Sequence, residues 1–164
     1  MKRLVILSVV LFSVSYGSAA ENDKLDLGGG TQLDIVKIPA GSFEMGSPPA
    51  EKGRGPDEDL HRVEIAEPFW IGRYPVTRGQ FARFVQETGY KTEAEKGTSG
   101  GYGFDGTALV QRKEFTWRNP GFEQTDEHPV VLITHGDALA FVRWLSGKAR
   151  RTIALPTEAQ WEYA

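Results

Sequence analysis

Three helix starts can be placed to the residue in this chain, and each stands on a threonine. Thr77 is followed by Gln80, Thr134 by Asp137, and Thr157 by Gln160. A threonine hydroxyl at the N-cap accepts a bond from an orphan N–H of the first turn, and a glutamine three residues on reaches back to the cap's own N–H. Val76 and Phe81 add a hydrophobic staple around the first start. Phe81, Phe84 and Val85 share one face of that helix, and Gly89 predicts its stop. After Thr134, the apolar face is Ala138, Phe141, Val142 and Leu145, and Gly147 predicts the end. The third helix has room for about two turns before Ala164, with no glycine or basic stop signal.

Between these helices the chain reads as short strands and turns. Leu33, Ile35, Val36 and Ile38 predict a strand ending at Pro39, and Ser42 to Met45 predict the strand that returns from it. His61 to Ile65, Phe69 to Tyr74, Glu114 to Trp117 and Val130 to Ile133 predict four more. Residues 21–32 are polar, run into Gly28-Gly29-Gly30, and are expected to form an N-terminal tail or linker. Residues 46–60, rich in proline, glycine and charge, predict a surface loop. Residues 96–108 are glycine-rich and predict a long loop, of the kind that can shape a groove for a peptide or other ligand. Helices and short strands in this order imply an α+β domain.

Residues 1–20 read as a signal peptide. Lys2 and Arg3 are its basic start, Leu4 to Val14 its short apolar run, and Ser18-Ala19-Ala20 its small-residue cleavage site. The apolar run falls short of the roughly 20 residues a spanning helix needs. Export to a periplasm or the exterior is therefore expected, with no membrane contact after cleavage. The formal charge of −3 gives no polybasic surface for nucleic acid. The chain contains no cysteine, which excludes a thiol nucleophile, a thiolate metal ligand and a redox dithiol within these residues.

The remaining chemistry-bearing residues give no defined site. His128 and His135 lie seven apart, with Asp137 beside them and His61 distant, and this is not the spacing of a helical zinc pair. Glu51, Asp57, Glu58 and Asp59 lack the regular spacing of a calcium loop and read as a solvated acidic face. No Lys-Ser/Thr follows Gly100-Gly101-Tyr102-Gly103, so it is not a phosphate loop. Trp70, Trp117, Trp144 and Trp161 are expected in the core, with Trp117 the exception because it borders a turn. No catalytic, cofactor-binding or metal residue is assigned.

One ordered set of segments carries a resemblance. It runs from Ile38-Pro39-Ala40-Gly41-Ser42-Phe43-Glu44-Met45-Gly46-Ser47 to Tyr74-Pro75-Val76-Thr77 and on to Phe84-Val85-Gln86-Glu87-Thr88-Gly89-Tyr90. Trp117-Arg118-Asn119-Pro120, His128-Pro129-Val130-Val131, Asp137-Ala138 and Leu155-Pro156-Thr157-Glu158-Ala159-Gln160-Trp161-Glu162-Tyr163-Ala164 complete it. In this order they resemble the sulfatase-modifying-factor, or formylglycine-generating enzyme, superfamily, over residues 33–164 and as the N-terminal half of its domain only.

The resemblance implies a C-type-lectin-like α+β fold with little regular secondary structure, here truncated. It implies that an intact form oxidises a protein cysteine to formylglycine, maturing a sulfatase, or acts on a related maturation substrate. Copper held by a cysteine pair and calcium are implied for a full-length member, and none of those positions falls in this chain. A protein or peptide such as a sulfatase is the implied partner. Whether the chain is an enzyme stays open, and these residues alone are expected to be inactive, as a fragment. The alternative is a non-catalytic lectin-like binding or scaffold module. Two positions depart from the family: Ala154 replaces an arginine, and His135 replaces a tryptophan. Relaxed constraint and a divergent subgroup both account for them.

Overall fold

The computed structural model describes residues 21–164 and the backbone of Val10 and Leu11. The rest of the expected signal segment, residues 1–20, lies outside the described residues. In chain order the elements are β1 (Val10–Leu11), β2 (Asn22–Gly28), β3 (Thr31–Ile38), β4 (Gly41–Met45), β5 (His61–Ile65), β6 (Phe69–Gly72), α1 (Arg78–Thr88) and α2 (Glu93–Lys96). They continue as β7 (Gly101–Phe104), β8 (Leu109–Arg112), α3 (His135–Ala149), β9 (Ile153–Ala154) and α4 (Glu158–Tyr163). The architecture is α+β with short elements, as expected.

The central sheet has the order β2-β3-β6-β1-β9, and its paired neighbours are antiparallel. Both of its faces are covered. Leu25, Leu27, Leu33, Ile35 and Trp70 pack with Phe81 and Phe84 of α1 and Phe141, Val142 and Leu145 of α3. On the opposite face Phe69 and Ile71 meet Val36, Ile38, Ile65 and Tyr163. Two ribbons, β4–β5 and β7–β8, stand outside the central sheet.

The helix starts form where the threonines place them. Thr77, Thr134 and Thr157 each close a capping box with Gln80, Asp137 and Gln160. Thr92 and Glu95 close a fourth one, on the four-residue α2. Gly89 stops α1 in the left-handed region at φ 67°.

Several expectations are corrected. The stretch 21–32 is not a linker: β2 buries Leu25 and Leu27, which alternate with charged neighbours, and pairs with β3 through the glycine turn. The segment Ser42 to Met45 does not return onto β3 but pairs with β5. α3 runs through Gly147, and Arg150 takes the left-handed cap, its N–H donating to the Ser146 carbonyl. Val130 and Ile133 are buried as expected, but they form no strand. Residues 114–117 make only a bridge, Thr116 to Asn119. Trp117 is fully buried, and Trp161, at 58% exposure, is the exposed tryptophan.

Candidate functional site

The glycine-rich stretch expected to be a loop is the hairpin β7–β8, with Tyr102 opposite Gln111, Gly103 opposite Val110 and Phe104 opposite Leu109. Side chains alternate across a strand. Gly101 and Gly103 therefore share the inner face, while Tyr102, Phe104 and Leu109 share the outer one. At these two glycines the inner face has no room for side chains. A Cβ on Gly103 would overlap the Phe115 ring, and one on Gly101 would come within 2.9 Å of Leu132 Cδ2. Glycine here permits close approach to the body of the protein. The outer face is a short apolar row, with Tyr102 49%, Phe104 38% and Leu109 72% exposed. Phe122, 48% exposed, follows the Pro120–Gly121 turn that seats Phe104.

The seat is rigid. Gly101 N–H donates to the Phe115 carbonyl at 2.7 Å, and Phe104 N–H to the Pro120 carbonyl at 2.9 Å. Lys113 Nζ donates to the Gly97 carbonyl. Below this, Trp117 packs edge-on against Phe81 with ring centroids 5.2 Å apart. Its indole N–H donates to Glu95 Oε2 at 3.3 Å, and Arg118 lies 4.2 Å over its ring while donating from Nε to Glu95 Oε1. Burial raises the Glu95 pKa, but the bonds from Thr92 and the Arg118 guanidinium outweigh that and hold it below its ordinary value. Glu95 thus ties the Trp117–Arg118 segment, which lies below the hairpin, to α2.

The turn of the hairpin is also built on a carboxylate. Asp105 Oδ1 accepts from Thr107 N–H at 3.0 Å, Thr107 Oγ1 at 2.8 Å and Ala108 N–H at 3.0 Å. Its Oδ2 pairs with Arg112 at 3.0 Å. The backbone bonds from Ala108 and Thr107, then the Thr107 hydroxyl, hold its pKa down to about 2.

The titratable residues singled out in the sequence do not converge. His61 Nδ1 lies 2.7 Å from the Asp59 carbonyl, His128 Nδ1 accepts from Thr125 N–H at 2.9 Å, and His135 opens α3. Asp137 is fully buried and committed: Oδ1 accepts from Tyr90 Oη at 2.9 Å and Glu93 N–H at 3.1 Å, and Oδ2 from Thr134 N–H and its hydroxyl. Burial and that bond push the Tyr90 phenol up to about 12. In the acidic loop, Asp59 pairs with Arg54 and Glu58 accepts from Ser47. A shallow pocket of about 420 Å³ lies beside β4–β5, lined by Ser42, Arg62, Glu64 and Ile65 among others.

Copper does not fit these residues. Soft thiolate donors are absent from the sequence, and among the described residues no three His, Cys, Asp or Glu side chains gather as an ion site. The same residues offer no calcium cage.

Residues 28–164 match the sulfatase-modifying factor enzyme 1-like domain. The chain belongs to this family. The match occupies nearly the whole chain, and it gives no support to the expectation of an N-terminal half alone, of a truncated fold or of a fragment. The chain is 34% identical to the formylglycine-generating enzyme of Mycobacterium tuberculosis, over 80% of this chain and 50% of that protein. It is 34% identical to the inactive C-alpha-formylglycine-generating enzyme 2 of Bos taurus, over 85% of this chain and 51% of that protein. The solved structure of PvdO from Pseudomonas aeruginosa superposes with a TM-score of 0.68 and 29% identity, covering 90% of this chain and 51% of PvdO. The chain spans about half the length of the curated relatives it matches. Among the described residues no helix is long and apolar enough to cross a membrane.

Proposed function

We propose that this sulfatase-modifying-factor family chain is a non-catalytic binding module that holds a protein or peptide segment on the outer face of the β7–β8 hairpin. The observation that carries the reading is the row Tyr102, Phe104 and Leu109, turned outward by the glycines beneath it. Aromatic rings on a rigid seat contribute large contact area with little loss of rotamer freedom on binding. Oxidation of a protein cysteine is not supported. The matched stretch carries no cysteine, and it aligns over most of its length with a relative named as inactive. Lys2, Arg3 and the small residues before Glu21 favour an exported, periplasmic or secreted, setting.

A sulfatase is the first partner to try. Labelled, unstructured peptides tiling a sulfatase sequence are titrated with the chain and with its Phe104→Ser, Leu109→Ser double variant. The expected result is saturable binding of at least one peptide, weakened tenfold or more in the variant. Equal affinity for both proteins, or no bound peptide, overturns the reading. So does conversion of a cysteine peptide to an aldehyde when copper and oxygen are supplied.

A further inference from the structure

The turn between β7 and β8 carries Asp105-Gly106, a pair with a chemistry of its own. The main-chain nitrogen that follows an aspartate can attack the carbon of its side-chain carboxyl. Most residues obstruct that approach with a Cβ, and glycine has none. Gly106 is exposed, sits at φ 100°, and would have nothing within 4 Å of a Cβ. On steric grounds the turn is open to the reaction.

The balance of atoms sets what the reaction needs. The Gly106 nitrogen bonds to Asp105 Cγ and gives up its proton, while one carboxyl oxygen departs as water. The cyclic imide so formed takes water back at either carbonyl. Addition at Cγ restores aspartate. Addition at the main-chain carbonyl breaks its bond to nitrogen, and the chain then runs on through Cβ and Cγ as isoaspartate. Water is the only other reactant, and nothing is oxidised or reduced. Two conditions must hold: the carboxyl must carry a proton for its oxygen to leave, and it must turn to face the Gly106 nitrogen.

The folded hairpin withholds both. Oδ1 is held toward Thr107 N–H and Ala108 N–H, each at 3.0 Å, and toward Thr107 Oγ1 at 2.8 Å. Oδ2 pairs with Arg112 at 3.0 Å, which leaves it no proton to depart with. These contacts all favour the ionised carboxylate. The backbone on either side is fixed too, because Asp105 N–H donates to the Ala108 carbonyl at 3.1 Å and Phe104 pairs with Leu109. We propose that Asp105–Gly106 is a self-modification site, closed while the β7–β8 hairpin is folded and converted to isoaspartate when the hairpin opens. The product has one more main-chain atom between Phe104 and Leu109, and its free carboxylate stands directly on Cα. It therefore lacks the side-chain acceptor that shapes the turn, so the conversion records an opening and keeps the turn from re-forming. The site stands whether or not a ligand binds the outer row.

The test incubates the whole chain at body temperature and neutral pH, folded and in guanidinium chloride, beside a free peptide of residues 101–112. Peptide mapping with electron-transfer fragmentation tells isoaspartate from aspartate at position 105. The expected result is equal accumulation in the peptide and the denatured chain, and accumulation at least tenfold slower in the folded chain. That comparison requires no variant to fold. Thr107→Val removes a donor to Oδ1, and Arg112→Gln removes the partner of Oδ2. Each should speed conversion in the folded chain at least threefold. Asp105→Glu, which would have to close a larger ring, should give no product at this position. Four results overturn the site: a folded chain as fast as the peptide, a denatured chain as slow as the folded one, a peptide that forms no isoaspartate, or variants no faster than the wild type.

Discussion

The two outlying ribbons differ in which way their large side chains point. In β4–β5, Phe43 meets the Tyr163 ring at 5.2 Å and Ile65 packs toward Phe69 and Ile71, so this ribbon buries its apolar side against the sheet. The Tyr163 hydroxyl fills the space beside Gly41. In β7–β8 the inward positions Gly101 and Gly103 carry no side chain, and the rings face solvent. One ribbon contributes to folding through its side chains. The other is held by backbone bonds to Phe115 and Pro120, and its outer apolar row stays exposed.

The largest expected effect comes from removing what the second ribbon rests on. Trp117→Ala deletes a fully buried ring that touches Phe81 and bonds Glu95, and should cost about 3–5 kcal/mol in global unfolding. Denaturant titration checks it, and a loss below about 1 kcal/mol would mean the seat is not part of the core. A smaller contrast tests the ribbons against each other. Phe43→Ala, at a half-buried position, should cost about 1–2 kcal/mol. Phe104→Ala should change stability by about 0.5 kcal/mol or less. Equal losses at the two positions would show that both rings are structural.

The legible parts of this fold are those whose physics is local. A capping box is complete within four residues, so α1, α3 and α4 could be placed from Thr77, Thr134 and Thr157 alone. The same signal at Thr92 and Glu95 stands out less, because its helix is one turn long and leads into glycines. β2 was hidden by charge: Asp23, Lys24 and Asp26 surround Leu25 and Leu27, whose alternation is the true signal. The hairpin reads as a loop in the sequence because its glycines suggest turns. Two of them are instead inward strand positions, and Asp105-Gly106 between alternating residues was the available hairpin signal. Trp117 shows the limit of local reading, because a residue beside a turn can still be buried by the rings of a distant helix. No local pattern foretold that Val10 and Leu11 pair inside the central sheet, since β6 and β9 are remote in sequence.

The smallest expected effect is confined to the hairpin turn and is read by pH. The Asp105 carboxyl titrates at about 2 in the folded chain, against an ordinary value of 3.8. A group with a depressed folded pKa stabilises the fold fully above its unfolded value, and that contribution is lost as pH falls through the folded one. The turn should therefore hold its geometry above about pH 4 and loosen between there and about pH 2. The amide resonances of Thr107 and Ala108, whose N–H groups bond Asp105, report this directly. Their shifts should inflect near the folded value in the wild type and show no such inflection in Asp105→Asn. An inflection at the ordinary carboxylate value would mean that these bonds are not formed in solution. The outer row would then sit on a mobile turn, which removes the rigidity that distinguishes β7–β8 as a binding surface.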